Sequence, residues 1–243
     1  MYGWRARIGL MIPSTVTTMD QEFNRLVPEG VSVHVTRLYH TSSSLEGLAS
    51  LYDNIGRAAE ELATAHVDII VFGCTSGGLI KGKSYEEDIR NKIAKASKNT
   101  PAVTVIGSVI DALNTLKLKK LIIATPYIPE VYETEKIFME NMGFKVLDIR
   151  GLNIEDSASI SYEQPSASYK LAKRMFLDNP GAEGIFISCT NFRTMEIIDM
   201  LEKDTGLPVV TGVQATLWNC LRKVNCNEPI LGHGRLLEKY LGK

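Results

Sequence analysis

The sequence predicts an α/β protein built as two doubly wound parallel-sheet lobes related by a pseudo-twofold axis, with the active site in the cleft between them. Three observations carry this expectation. Short Val- and Ile-rich runs, apolar on both faces, alternate with amphipathic helical segments, which is the pattern of parallel strands covered on two sides. The landmarks of the first half recur in the second in the same order. A Cys-Thr pair closes one buried strand in each half, at Cys74-Thr75 and Cys189-Thr190.

Taken along the chain, Arg7–Pro13 is an apolar strand ending in a turn, followed by a polar loop and an amphipathic helix. Val31–Val35 is the second strand, and Ser44–Ala65 reads as a helix whose serine can serve as N-cap. Asp68–Phe72 is a third strand that runs into Gly73-Cys-Thr-Ser76. The mixed-charge run Lys81–Lys98 reads as a solvated helix. Thr100–Gly107 supplies the fourth strand and leads into a helix over Ser108–Leu116.

The second half answers each of these. Lys120–Pro126 has the shape of Arg7–Pro13 at an offset of 113 positions, and Cys189 follows Cys74 at an offset of 115. Phe144–Ile149, Gly184–Asn191 and Leu207–Gly212 match the remaining strands, with helices over Ser166–Asp178 and Val213–Lys223. The segment Leu231–Leu241 is expected to pack back onto the first lobe. The expected domains are therefore residues 1–116 with 225–243, carrying Cys74, and residues 117–224, carrying Cys189.

Composition bounds the function. A chain of 243 residues with 44% hydrophobic and 23% charged residues has the profile of a soluble globular protein. A net charge of −1 with dispersed Lys and Arg gives no nucleic-acid footprint. No apolar run approaches the roughly 20 residues that span a bilayer, and the N-terminus has no signal-peptide cleavage pattern. Four scattered cysteines are too few for a disulfide scaffold, so a reducing cytoplasm is the expected setting. His34, His40, His66 and His233 show no metal-ligand spacing and there is no CxxC, so no metal is expected.

Ligands of open α/β sheets bind outside the carboxyl ends of the strands, where both Cys74 and Cys189 stand. A thiol facing a helix N-terminus there would have its pKa lowered from about 8.5 toward neutrality. Thr75, Ser76, Thr190 and Asn191 add small hydroxyl and amide donors suited to a carboxylate, and Gly77 and Gly78 permit a sharp turn. Two such thiols on opposite faces of one small carboxylate can remove and return a proton or add to a double bond, with no cofactor required. A single cysteine at a strand end is commonly just a small core residue; the matched pair argues otherwise. Cys220, beside Trp218 and Leu221, reads as core, and Cys226 as a loop residue.

These residues resemble the aspartate/glutamate racemase superfamily, and within it the branch of maleate cis-trans isomerases and arylmalonate decarboxylases. The likeness runs over nearly the whole chain: Ile8–Pro13, Gly73–Ser76, Ala124–Tyr127, Ser188–Asn191 and Gly232–Leu236. It implies an aspartate/glutamate racemase-like fold and a cofactor-independent enzyme acting beside a carboxylate. By that resemblance Cys74 matches the nucleophile of maleate isomerases and Cys189 its partner acid/base. In the decarboxylases the second-half cysteine protonates an enediolate and the first-half position is not cysteine; in racemases both thiols exchange protons. Tyr127 matches a tyrosine that holds the substrate carboxylate. Ser14 and Thr15 occupy a loop of further donors, although a helix N-cap is an equal use for them.

Two departures qualify the substrate. Val16 stands where the isomerases carry a substrate-binding asparagine, and Ser157 replaces a second one. Each lost charge-assisted bond is worth about 1.5–3 kcal/mol, and valine offers an apolar wall instead. The leading expectation is a two-cysteine isomerase or racemase on a small carboxylate, maleate-like first. The alternatives are an arylmalonate-type decarboxylase using Cys189 as proton donor, an amino-acid or hydantoin racemase, and a non-catalytic ligand-binding protein. Expected partners are the small substrate and, in a homo-oligomer, further copies of the chain, with no nucleic acid and no membrane.

Overall fold

The computed structural model describes residues 2–42 and 44–242. The first half runs β1 (Ala6–Pro13), α1 (Met19–Leu26), β2 (Val31–Leu38), α2 (Leu45–Thr64), β3 (Ile69–Phe72), α3 (Lys83–Ala96), β4 (Ala102–Thr104) and α4 (Val105–Thr115). The second runs β5 (Lys120–Thr125), α5 (Pro129–Asn141), β6 (Lys145–Gly151), α6 (Pro165–Asp178), β7 (Gly184–Ile187), α7 (Ile198–Thr205), β8 (Val209–Thr211) and α8 (Gly212–Lys223), followed by α9 (Arg235–Lys239). Among the described residues no helix is long and apolar enough to cross a membrane.

Each half forms one parallel sheet, in the orders β2-β1-β3-β4 and β6-β5-β7-β8. The identical orders bear out the two-lobed α/β reading. β3 and β7 are wholly buried, as strands covered on both faces must be. The last ladder bond before each cysteine is also the same: Gly73 N–H donates to Met11 O at 2.8 Å, and Ser188 N–H to Ala124 O at 2.9 Å.

Helix starts follow cap chemistry. Ser44 accepts the Gly47 N–H at 3.2 Å, as expected for α2. α4 begins at Val105, earlier than the expected Ser108, because Thr104 takes the cap by accepting the Gly107 N–H at 3.0 Å. Thr211 caps α8 in the same way through the Gln214 N–H at 3.2 Å. The two equivalent helices, α4 and α8, pack on one another along the seam between the halves. Every residue of α8 from Gly212 to Leu221 is buried, and Asn219 Nδ2 donates across the seam to Ser108 Oγ at 3.1 Å and Asp111 Oδ2 at 3.2 Å.

The C-terminal segment corrects an expectation. Residues 231–241 dock on the second lobe rather than the first: Gln214 Nε2 donates to His233 O at 2.7 Å, Trp218 Nε1 to Tyr240 O at 3.0 Å, and the Arg235 N–H to Glu202 Oε2 at 3.0 Å. Buried side-chain donors on α8 need acceptors, and the returning backbone supplies them. On the approach to that segment, Glu228 pairs with Arg5 of the first lobe at 2.5 Å.

Gly151 ends β6 opposite Thr125, and a Cβ there would lie 2.1 Å from the Tyr127 carbonyl oxygen. Backbone cannot yield as a flexible side chain does. Gly151→Ala is therefore expected to cost about 2 kcal/mol or more and lower Tm by about 4–8 °C in a thermal melt.

Candidate active site

In both sheets the winding direction changes between the first and third strands, so the crevice opens at the carboxyl ends of β1 and β3, and of β5 and β7. The loops leaving these strands converge on one cavity between the lobes. Pro13, Val16, His40, Leu48, Cys74, Thr75 and Ser76 line it from the first half; Tyr127, Ser157, Ile160, Cys189, Thr190 and Asn191 line it from the second. It is closed down to little more than the room one water needs. A carboxylate therefore enters only as the walls part.

Cys74 and Cys189 face this space, each 6% exposed, and all four cysteines are free thiols. Each catalytic candidate receives one backbone N–H at 3.3 Å, Cys74 Sγ from Gly77 and Cys189 Sγ from Asn191. The expected lowering of the thiol pKa values is not found. Burial pushes Cys74 up to about 11 and Cys189 up to about 12, each against the smaller opposing effect of its N–H donor. The reason lies in the turns. Cys74 is followed by a single 3-10 turn, Ser76–Gly78, with α3 starting only at Lys83, and α7 starts only at Ile198. A helix dipole fades within its first turn, so desolvation prevails.

The two turns differ in backbone. Cys189 has φ of +87°, a region costly for a side chain bearing a Cβ, whereas Cys74 stays at negative φ. Tyr127, buried at 5% exposure, lines the same cavity as Cys189, and burial holds its own hydroxyl protonated. Behind Cys189, Ser188 Oγ donates to Glu135 Oε1 at 2.6 Å; burial raises this carboxyl to about 7. Thr75 Oγ1 is buried at the cavity wall with no partner, which leaves it available to a ligand.

Five expected binding residues, Ser14, Thr15, Ser157, Thr190 and Asn191, have polar groups committed within the protein. Ser14 Oγ accepts the His40 N–H at 3.0 Å and donates to His40 O at 3.2 Å, and Ser14 does not line the cavity. Thr15 is also off the wall, its hydroxyl sharing a 3.0 Å bond with Ser157 Oγ of the other lobe. Neither takes the helix cap weighed for them: Thr18 stands at the N-cap position of α1 and makes no side-chain cap, its hydroxyl reaching Thr190 O at 2.7 Å instead. The Asn191 amide is saturated: Nδ2 donates to Ser157 O at 2.8 Å and Thr15 O at 3.2 Å, while Oδ1 accepts from Thr17 N–H at 2.9 Å and Thr18 Oγ1 at 3.4 Å. It is a clasp between lobes. Thr190 Oγ1 likewise crosses, to Gly73 O at 3.1 Å.

Val16 is the apolar wall its side chain suggested, extended by Leu48 and Ile160. Those two and His40 were missed, because each reaches the cavity from a strand-to-helix connection or first helical turn with no local signal. Cys220 is buried on α8 as expected; Cys226 lies in the following loop but is also buried, its thiol directed to Val224 O. Among the described residues no three His, Cys, Asp or Glu side chains gather as metal ligands.

The sequence model of the arylmalonate decarboxylase family matches residues 8–237. A maleate isomerase from Pseudomonas putida is 27% identical over 243 residues, covering 95% of this chain and 96% of its own. An arylmalonate decarboxylase from Bordetella bronchiseptica is 23% identical, with 96% of each chain covered. The crystal structure of a cysteine-to-alanine variant of the maleate isomerase Iso from Pseudomonas putida, with maleate, superposes with a TM-score of 0.89 at 25% identity, covering 98% of this chain and 99% of that one.

Two outcomes follow from the buried groups. With a pKa near 11 only about one Cys74 in ten thousand is thiolate at pH 7, so iodoacetamide should label it at least about a hundredfold more slowly than free cysteine, by peptide mapping. Glu135 keeps its proton in the folded state between its ordinary 4.5 and about 7. Stability from this group is complete below 4.5 and lost as pH rises through 7. Glu135→Gln does not titrate, so its stability relative to the native protein should increase by up to about 3 kcal/mol between pH 4.5 and 8 in denaturant melts; a constant difference would refute the assignment.

Proposed function

The chain belongs to the arylmalonate decarboxylase family, and from that footing we propose that it is a two-cysteine isomerase of a small carboxylate, with cis-trans isomerisation of maleate as its best-supported reaction. The observation that carries this reading is the pair of thiols brought from equivalent strand ends to one cavity. Relatives named as maleate isomerases align over nearly the whole chain.

In this reading the Cys74 sulfur, once ionised, adds to one alkene carbon while the double-bond electrons move to the other carbon and its carboxylate. Ionising Cys74 at pH 7 costs about 5 kcal/mol in the empty cavity. The Cys189 proton passes to the second carbon, so one thiolate is consumed as another forms. The carbon–carbon bond is now single and turns. Cys189 recovers the proton, the carbon–sulfur bond breaks, and the trans alkene leaves with Cys74 again a thiolate. Thr75 and Ser76 hydroxyls and Tyr127 are the donors for the carboxylate on which charge develops. Free buried thiols suit a reducing, cytoplasmic setting.

A second reading is favoured by the apolar wall of Val16, Leu48 and Ile160. A substrate with one carboxylate and one apolar group fits it, as in decarboxylation of a substituted malonate with Cys189 as proton donor, or racemisation of an amino acid or hydantoin.

Proton NMR in deuterated water separates these. Maleate is expected to give its trans isomer, and Cys74→Ser and Cys189→Ser should each lower turnover by at least about a thousandfold without loss of fold. Full activity in either variant would sink the two-thiol mechanism. Carbon dioxide release from an arylmalonate by Cys74→Ser would establish the second reading.

A further inference from the structure

His40 lines the cavity yet has no part in the two-thiol chemistry. It is 4% exposed, in the connection between β2 and α2. Ser14 pins its backbone from both sides, by the two hydrogen bonds at 3.0 and 3.2 Å. Its Nδ1 is buried without a hydrogen-bond partner, and in the neutral ring one nitrogen holds the proton while the other keeps a lone pair. A buried ring nitrogen left unpaired on the wall of a cleft is open to a partner that the protein itself does not supply.

Charge shows what that is. Among the described residues no Lys or Arg lines the cavity, and His40 is the one lining side chain that can become a cation. Neutral donors suffice for the carboxylate beside the thiols. Beyond them the wall is apolar at Val16, Leu48 and Ile160, and the Asn191 amide is already saturated, so a second carboxylate has no free amide to receive it. A buried anion without a partner is strongly disfavoured.

We propose that His40 determines specificity for dicarboxylates: the ring takes up a proton as the dianion enters, and the imidazolium pairs with the distal carboxylate. The proposal rests on the small-carboxylate reading of the site. Burial holds His40 below its ordinary pKa, so the ring is neutral in the empty cavity and an adjacent carboxylate reverses that. The titratable groups that share the cavity are Cys74, Cys189 and Tyr127, all pushed upward by burial and silent near neutrality. On flanking elements, Arg37 is paired with Asp20 and Glu46 on α2 is exposed; none of them lines the cavity. Glu22 and Glu135 titrate near 7 but also lie off the wall.

Linkage fixes the sign. Affinity for the dianion is greatest at low pH and falls by up to about tenfold per pH unit between the empty-site and bound-state values. The test uses Cys74→Ser, which blocks turnover and removes the thiol proton, with maleate and with isocrotonate, the cis monoacid bearing methyl in place of the second carboxylate. Calorimetry in buffers of different ionisation enthalpy, from about pH 6.5 to 8.5, spans the histidine range. Maleate should take up close to one proton and weaken with pH; isocrotonate should do neither. Adding His40→Gln should abolish the uptake and flatten the maleate profile while leaving isocrotonate unchanged. Both Ser14 contacts are to backbone, so equal melting temperatures are expected. Carbon NMR of the His40 ring in Cys74→Ser, on adding maleate, reads the protonation without altering His40. Maleate binding with no uptake, or uptake that survives His40→Gln, overturns the role of His40 and leaves the carboxylate reading standing. Binding of neither acid at any pH overturns that reading itself.

Discussion

The packing of α4 on α8 is the constraint from which the rest of the structure follows. Each helix begins directly after the last strand of its sheet, capped by Thr104 or Thr211, so neither can move without its sheet. Gly212 allows the close approach: a Cβ there would stand 3.2 Å from Val105 Cγ1 and 3.3 Å from Thr75 Oγ1. With this seam buried, the carboxyl ends of β3 and β7 face one another. Thr190 Oγ1 to Gly73 O then ties one cysteine turn to the residue before the other. Two thiols in one cavity are a consequence of the seam rather than of either turn alone.

The same burial governs the electrostatics. A dry cavity between two lobes raises both thiols and neutralises Glu135, because the charged forms lose their water and gain few donors in return. The enzyme therefore rests with neutral thiols, and negative charge is created only with the ligand in place. Low dielectric makes each remaining donor count for more once that happens. The positive φ of Cys189 indicates that the second turn is held by its surroundings, with Thr190 and the Asn191 clasp on the chain immediately after it.

Polar residues around the cavity divide into those that face it and those that hold it shut. Asn191, Thr15 and Thr18 spend their hydrogen bonds between lobes, and Ser14 spends its own on His40. Thr75 and Tyr127 remain on the wall. An amide with all its positions satisfied cannot also grip a substrate, so the donors available to a carboxylate are fewer than the polar residues in the loops suggest.

Much of this was legible in the chain. Strand runs, the repeat, the Ser44 cap of α2, and the equivalence of Cys74 and Cys189 follow from local pattern and internal comparison, because buried parallel strands and their turns have distinctive compositions. Val16 as an apolar wall was legible from the family resemblance, as a valine where a binding asparagine is expected. The tertiary structure alone decided the rest. Whether a hydroxyl meets a ligand or the opposite lobe depends on contacts across about 140 positions or more, as at Thr15 and Ser157. The thiol pKa values depended on burial and on where the next helix truly starts. His40 had no motif to mark it; its place on the wall comes from the folded path of two loops. Sequence singled out the paired thiols, while the assembled seam decided their protonation and their neighbours, since desolvation and long-range hydrogen bonds exist only once the lobes meet.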